Sequence, residues 1–474
     1  MPDKTYNSVD SKIIRKLIEI AGEKNVLTEK DDMVPYSHDE FAMDEIHHFP
    51  EAVVRPANTE QVVALVKLCN TGNIPLTARG GGTGLCGGCV PIKGGIVVTF
   101  ENMQKIIDID TKNLTATVEA GLALTDFYSA VEEKGLFFPP HPGDESATIG
   151  GVISTNAGGS RAVKYGVVRN FVKGIEVVLP SGEVVMLGGK YLKDSSGYNL
   201  MHLMIGSEGT LGLVTKAVIA LIPPPQAVMI LVAPFENLHD AISTVPDIMQ
   251  NKILPMAVEF VDMDSITISS RHLDKIWPCS AGKAHLMISI DGMSEEEVLR
   301  LAETVSEVCS AHNALDVFVA DTGAKQQDIL AIRSNIYEAI KHYMLENLDI
   351  TVPRSLIAEY VDSIQALEQE YNMWLPTYGH AADGNVHTHL MTSKWVDGEW
   401  KEIPNWKDKY KVVREKLHDL GKKYQGTCSG EHGIGIVKRP YLELFLKPEQ
   451  IELMRGIKRV FDPKGILNPG KIFN

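Results

Sequence analysis

The chain has 474 residues, 44% of them hydrophobic, and a formal charge of -15; its length predicts roughly two or three domains, and its apolar content is that of an ordinary globular protein. So acidic a chain repels a phosphate backbone, which excludes nucleic acid as an expected partner. No run approaches the roughly 18 apolar residues of a membrane helix, the opening MPDKTYNSVDSK lacks the apolar core of a signal peptide, and a cytoplasmic location is expected.

In chain order, residues 9–22 have helical periodicity, with Ile13, Ile14, Leu17, Ile18 and Ile20 on a broad apolar face. Glu51–Arg55 is strand-like, and residues 59–70 predict a helix with Thr59 as N-cap. Two short apolar strands, Ile74–Ala78 and Gly95–Phe100, flank Arg79–Val90, which reads RGGGTGLCGGCV. Glycine at that density suits neither helix nor strand, but it bares backbone N–H groups that can approach a phosphate. Gly82-Thr83-Gly84-Leu85-Cys86-Gly87 matches the G-x-G-x-x-G dinucleotide fingerprint. That fingerprint must open a helix, whereas here it runs into Gly88, Pro91 and a strand, so a Rossmann fold is rejected. The loop can still hold a pyrophosphate in another fold, or be a tight hairpin without a ligand. Cys86 and Cys89, its one C-x-x-C, read as small residues beside the loop backbone or as a redox pair.

Residues 106–120 predict a strand pair turning at Lys112–Asn113, and 124–135 a helix stopping at Gly135. Residues 139–160, PPHPGDESATIGGVISTNAGGS, read as a second binding loop, because a loop of that length is functional or disordered and Ile149, Val152 and Ile153 argue against disorder. A hairpin is expected over 173–187 around Pro180-Ser181-Gly182, and 205–222 holds a third glycine cluster followed by a strand. Pro223, Pro224 and Pro225 mark a domain boundary. Beyond it, strands at 227–234, 256–262, 285–291 and 315–320 and helices at 237–250, 294–312 and 324–346 predict an α+β domain. Helices follow at 407–424 and 448–461, and Asp462–Lys471 closes as a tight loop.

Two polar clusters could carry chemistry. In the first, GHAADGNVHTH, His380, His387 and His389 fall close together among glycines; the second is SGEHGIG, with Glu431 and His432. Histidine with carboxylate suits a divalent ion such as Zn²⁺, Mn²⁺ or Fe²⁺. His387 and His389 share a face if the segment is extended, His380 and His387 can converge across a turn at Asp383-Gly384, and Glu431 could complete the set. A turn-rich surface loop with solvated histidines would read the same way. Glu431 and His432 point to opposite sides of an extended segment, so one can be a ligand while the other faces substrate as a base, and histidine is the better base at neutral pH. Arg333 and Arg354 can each grip a carboxylate or form ordinary surface ion pairs.

RGGGTG, HPGDESATIGGVISTNAGGSRAVKYG, GSEGTLGLVTKAVI, GHAADGNVH, SGEHGIG and DPKGILNPGK occur in that order. Together they resemble the FAD-linked oxidoreductases of the vanillyl-alcohol-oxidase type fold, in the branch of D-lactate dehydrogenase, glycolate oxidase and D-2-hydroxyglutarate dehydrogenase. The resemblance runs from about Tyr36 to the C-terminus and implies an α+β fold: residues 1–225 as a two-subdomain FAD-binding domain, 226–420 as a substrate domain with the metal motif, and 421–474 as a segment returning to the flavin. It implies FAD with its pyrophosphate on Arg79, Gly80, Gly81, Gly82, Thr83 and Gly84, and lined by Pro142, Gly143, Ser146, Thr148, Gly151, Asn156, Gly158 and Gly159. Glu208, Gly209, Gly212 and Val214 would hold the adenine side, and Asn468 would touch the flavin. Relatives with covalent FAD carry histidine in the glycine loop; Thr83 stands there in this chain, so non-covalent FAD is expected. The resemblance also implies a metal on His380, His387 and Glu431, His432 as catalytic base, and Arg333 and Asn385 on the substrate.

The implied reaction is oxidation of a 2-hydroxy acid, lactate first, to the 2-oxo acid, with glycolate or D-2-hydroxyglutarate as alternatives. A metallohydrolase with purely structural glycine loops is the reading from another class. A third is a non-catalytic electron-transfer or scaffold protein. The cysteine spacing matches no iron–sulfur cluster, so electrons must leave through a partner or a diffusible acceptor. An electron-transfer flavoprotein is the expected acceptor, with an iron–sulfur subunit or quinone as alternatives.

Overall fold

The computed structural model describes residues 5–41, 46–320 and 322–473. The chain divides into two compact units, one of Met1–Gly158, Val167–Pro224 and Glu431–Asn474, the other of Gly159–Gly166 and Pro225–Gly430. Among the described residues no helix is long and apolar enough to cross a membrane.

The first unit contains two sheets. β1 (Val26–Leu27), β2 (Ala52–Val54), β3 (Leu76–Arg79) and β4 (Ile96–Thr99) form one, in the order β1-β2-β4-β3. β2 and β3 both run parallel to β4, and β4 (IVVT) is buried at every residue, the continuous apolar pattern of a strand covered on both faces. The expected flanking strands are therefore present, but as parallel neighbours, which rules out a tight hairpin between them. The helix Thr59–Gly72 connects β2 to β3, burying Val62, Leu65 and Val66, each worth roughly 2 kcal/mol. Its N-cap is Asn58, which accepts from Gln61 N at 3.0 Å, one residue before the expected Thr59; the Thr59 hydroxyl donates instead to Glu176 at 2.7 Å.

The second sheet orders β5 (Ile106–Asp110), β6 (Thr115–Glu119), β7 (Val172–Val178), β8 (Val184–Gly188) and β9 (Leu213–Ala220) as β5-β6-β9-β7-β8. The two expected strand pairs are its outer hairpins, β5–β6 and β7–β8. The stretch expected as a binding loop is not all loop: Ile149–Thr155 is helical, with the Thr148 hydroxyl accepting from Gly151 N at the N-terminus and Asn156 left-handed at the C-terminus. Ile149, Val152 and Ile153 anchor that helix in the core.

The second unit is built on a seven-stranded sheet. Its strands are β10 (Ala227–Phe235), β11 (Ala257–Asp262), β12 (Ala284–Gly292), β13 (Phe318–Ala320), β14 (Met344–Thr351), β15 (Thr377–His380) and β16 (Asn385–Met391). They lie in the order β13-β10-β12-β11-β15-β16-β14, every pair antiparallel. A ribbon of β17 (Ser393–Val396) and β18 (Glu399–Glu402) follows. The helix expected over 324–346 is not continuous. It ends at Ser334, a short helix spans Ile336–Ile340, and β14 begins at Met344. Asn335 turns its amide back to the Ala331 carbonyl at 2.9 Å, and pairing with β16 claims the residues beyond. Two helices carried no clear signal, Met263–Leu273 and Ile357–Tyr371; the first is capped by Asp262, which accepts from Ser265 N at 2.8 Å.

Candidate active site

In the first unit the glycine loop leaves β3 beside a cavity of 320 Å³ lined by Tyr36, Arg79, Gly80, Gly81, Glu101, Ser146 and Thr148 among others. Two glycines there leave no room for a side chain: a Cβ on Gly80 would lie 2.5 Å from Thr148 Oγ1, and one on Gly81 2.9 Å from the Ser146 carbonyl. Gly82 adopts φ +80°, and a Cβ there would strike the Arg79 guanidinium. Arg79 is held from behind, Nη1 donating to the His38 carbonyl at 2.5 Å and to Cys89 Sγ at 3.3 Å. A bare backbone, a fixed guanidinium and a helix N-terminus at Thr148 are the donor set a dinucleotide pyrophosphate requires, so these residues fit FAD. Tyr36 and Glu101 line the same cavity, the Tyr36 hydroxyl donating to Glu101 at 2.9 Å. Nothing in the sequence distinguished them.

Pro142 and Gly143 lie earlier in that loop and are not among the cavity-lining residues. Gly151 donates to Thr148 Oγ1 and Asn156 Oδ1 accepts from Arg169 N. A Cβ on Gly158 would come 2.5 Å from Glu431 Oε2, so the absence of a side chain there admits the Glu431 carboxylate. Gly159 begins the short stretch belonging to the second unit.

The third glycine cluster is occupied with the chain itself. Both Glu208 carboxylate oxygens accept backbone N–H groups, from Ile434 and Gly435 at 2.8 Å each. Asn468 Nδ2 donates to the Gly88 and Glu208 carbonyls at 2.8 and 2.7 Å. The Leu76 N–H donates to the Ile466 carbonyl and the Asn468 N–H to the Leu76 carbonyl, so the C-terminal segment runs along β3. Gly209 is left-handed, Gly212 backs onto Val177, and Val214 is buried in β9. Cys86 donates its thiol to the Gly433 carbonyl and takes the Ile436 N–H on its own carbonyl. Cys86 and Cys89 are not joined in a disulfide; burial raises the Cys89 pKa above its ordinary value despite Arg79 beside it.

In the second unit the strand register assembles a polar surface. Residues directly opposite in antiparallel strands share a face. Glu259 (β11) faces His380 (β15), His380 faces Asn385 (β16), and Asn385 faces Thr351 (β14). In the next row Tyr378 faces His387, and His387 faces Asp349. His380 and His387 stand with ring centroids 5.3 Å apart at 89°. His380 Nδ1 lies 2.7 Å from Glu259 Oε1, which places the lone pair of a neutral imidazole on Nε2. Two imidazoles so placed, with the Asp349 carboxylate opposite one of them in register, fit a divalent cation of the borderline kind. His389 lies on the same face with Nδ1 3.0 Å from the Pro376 carbonyl and its ring stacked on Tyr378 at 4.6 Å.

Arg333, in the last turn of the helix Gly323–Ser334, reaches Glu259 Oε2 at 2.5 Å and lies over the Tyr378 ring at 4.7 Å. Arg354 is exposed and contacts only Met249 Sδ among the hydrogen-bond partners described for it. Burial pushes the Glu259 pKa up, but His380 and Arg333 outweigh it and hold the carboxyl below its ordinary value. Asp349, fully buried, accepts from Asn385 Nδ2 at 2.7 Å, Ser429 Oγ at 2.8 Å and Gly430 N at 3.1 Å. Asn385 Oδ1 is buried without a protein donor. Glu431 and His432 follow Gly430 directly in the chain, with His432 Nε2 4.0 Å from Glu431 Oε1.

A glycine-lined cavity with pyrophosphate donors in one unit and a histidine–carboxylate–arginine face in the other are the parts of a cofactor-dependent redox enzyme. Residues 50–188 match the FAD binding domain model, and 224–472 match that of the FAD linked oxidases, C-terminal domain. The chain belongs to this family and is an FAD-linked oxidoreductase. It is 41% identical over 479 residues to the D-lactate dehydrogenase of Anaerostipes hadrus, covering 100% of this chain and 99% of that one. To glycolate oxidase subunit GlcD of Bacillus subtilis (strain 168) it is 40% identical over 461 residues, covering 97% and 96%. The crystal structure of p-cresol methylhydroxylase with substrate bound superposes with a TM-score of 0.80 at 20% identity, covering 97% and 96%, and shares the vanillyl-alcohol-oxidase type of fold.

Proposed function

We propose that the chain oxidises a 2-hydroxy acid, lactate foremost, to the 2-oxo acid, using non-covalent FAD and one divalent metal, Zn, Mn or Fe. The observation that carries this reading is the single sheet face bearing His380, His387 and Asn385 with Arg333 above Tyr378. It presents cationic and metal-ligating groups together, as a small hydroxy-carboxylate requires. The names of the relatives support lactate or glycolate as substrate class.

Arg79–Gly84 would hold FAD, which would supply a two-electron acceptor for the Cα hydride, and His380, His387 and Glu431 would hold a divalent ion, which would supply positive charge. Arg333 orients the substrate carboxylate through its forked N–H donors. Asn385, fixed by Asp349, turns its free Oδ1 to the substrate. His432 takes the hydroxyl proton as the alcohol becomes a carbonyl. The residue assignments of the cradle, and the divisions 1–225, 226–420 and 421–474, belong to the same proposal. So do a cytoplasmic location and an electron-transfer flavoprotein as acceptor.

Anaerobic mixing of the purified protein with D- and L-2-hydroxyacids tests this. Flavin bleaching by D-lactate that a chelator abolishes and a divalent ion restores is expected; flavin that no hydroxyacid bleaches overturns the reading. Rapid quinone reduction by the chain alone, without binding to an electron-transfer flavoprotein, removes the proposed acceptor.

A further inference from the structure

We infer that Glu259 is a positioning residue that joins the metal ligand to the substrate-carboxylate clamp, so that one buried carboxylate sets both. Its two oxygens are divided between two partners: Oε1 lies 2.7 Å from His380 Nδ1 and Oε2 2.5 Å from Arg333 Nη2. Glu259 is 1% exposed, so the carboxylate has no competing solvent.

The register explains why this residue holds the post. Glu259 pairs with His380 across β11 and β15 on the polar face, and Met287 of β12 faces it on the other side. Its backbone is thus fixed between two neighbouring strands. Accepting from Nδ1–H selects the His380 tautomer that carries its lone pair on Nε2, and turns the ring to an orientation it would otherwise leave by rotating. The other oxygen holds Arg333 through Nη2. Arg333 Cζ lies 4.7 Å from the Tyr378 ring centroid, and its Nε is buried without an acceptor. Part of the guanidinium therefore remains to receive an incoming carboxylate. A residue that only filled space would touch one of these two partners or neither.

The inference rests on the metal and substrate reading given above, and the test separates the two. Wild type, Glu259→Gln and His380→Ala are stripped with chelator and titrated with Co²⁺. The metal-free proteins are then titrated with oxalate, an unreactive dicarboxylate, following the flavin absorbance. Thermal unfolding reports folding. Glu259→Gln is expected to weaken Co²⁺ about 10- to 100-fold and to weaken oxalate in the metal-free protein as well. A folded Glu259→Gln protein that has lost thermal stability but keeps both constants overturns the inference. If His380→Ala itself binds Co²⁺ like wild type, the metal reading fails and takes the inference with it; if His380→Ala loses Co²⁺ while Glu259→Gln retains it, only the inference fails. Should Glu259→Gln not fold, Glu259→Asp serves: one methylene shorter, it cannot reach both partners and should weaken at least one constant about tenfold, and two unchanged constants overturn the proposal.

Discussion

Asn385 Nδ2 donates to Asp349 Oδ1 at 2.7 Å, and the same carboxylate receives Ser429 Oγ and Gly430 N. Asp349 thereby ties the β16 residue proposed to meet substrate to the segment that leads into Glu431 and His432. Because the segment 427–430 also hydrogen-bonds along β14, through Thr427 N to the Thr351 carbonyl and Gly430 N to the Asp349 carbonyl, the edge of the sheet dictates where that loop begins.

Removing this carboxylate should strand the buried Asn385 amide and take the acceptor from Ser429 Oγ. Asp349→Ala is expected to lower kcat about 100-fold with a smaller change in KM and to cost about 3 kcal/mol of stability. Asp349→Asn, which keeps an acceptor, should recover part of the stability but little of the rate. Stopped-flow flavin reduction and urea unfolding would measure both; a rate within a few-fold of wild type in Asp349→Ala would refute the role.

Gly430 lies so close to this network that a Cβ would stand 2.6 Å from Asp349 Oδ1 and 2.5 Å from Thr351 Oγ1. Gly430→Ala should therefore purify yellow, since the cradle belongs to the other unit, yet reduce its flavin at least about tenfold more slowly as Glu431 and His432 are displaced. The ratio of flavin to protein absorbance and the reduction rate check the two halves of this expectation.

The cradle should fail differently. At Gly80 the space for a Cβ is taken by Thr148 Oγ1, so Gly80→Val is expected to yield protein without flavin while the second unit stays folded. Flavin content after purification, with limited proteolysis to follow each unit, reads the result. Full flavin occupancy in Gly80→Val would count against pyrophosphate binding at this loop.

His285 supplies a pH dependence of its own. It is fully buried, its Nδ1 accepts from Trp277 Nε1 at 3.0 Å, and burial depresses its pKa from 6.5 to about 4. The unfolded chain binds this proton more tightly than the folded one. The contribution is therefore fully present above about pH 6.5 and is lost as pH falls through about 4. His285→Gln, which keeps an acceptor for Trp277 but does not titrate, should show a shallower fall in urea midpoint between those limits than wild type. Parallel curves for the two proteins would show that His285 does not contribute.

The glycine loop was legible because glycine density and the absence of a following helix are local facts, and they excluded a Rossmann fold before any tertiary contact was known. His380 and His387 stood out as histidines set among glycines, but the surface loop that pattern equally allowed is not what forms: both are buried, in β15 and β16. Glu259 and Asp349 did not stand out. Each sits in a strand that reads as an ordinary buried run, AVEFVD and MLENLDIT, and its chemistry exists only through neighbours far away in sequence. The same cause misplaced the end of the helix predicted over 324–346, because the pairing of β14 with β16 outweighed local helical periodicity.

By itself the sequence determined the order of the binding segments, the α+β class and the residue types gathered in each motif, since these follow from composition and short-range periodicity. Only the tertiary structure decided which carboxylate serves which histidine. Antiparallel register, a relation between strands brought together across more than a hundred residues from Glu259 to His380, chooses the pairs, and a slip of one residue would turn every one of these side chains to the opposite face.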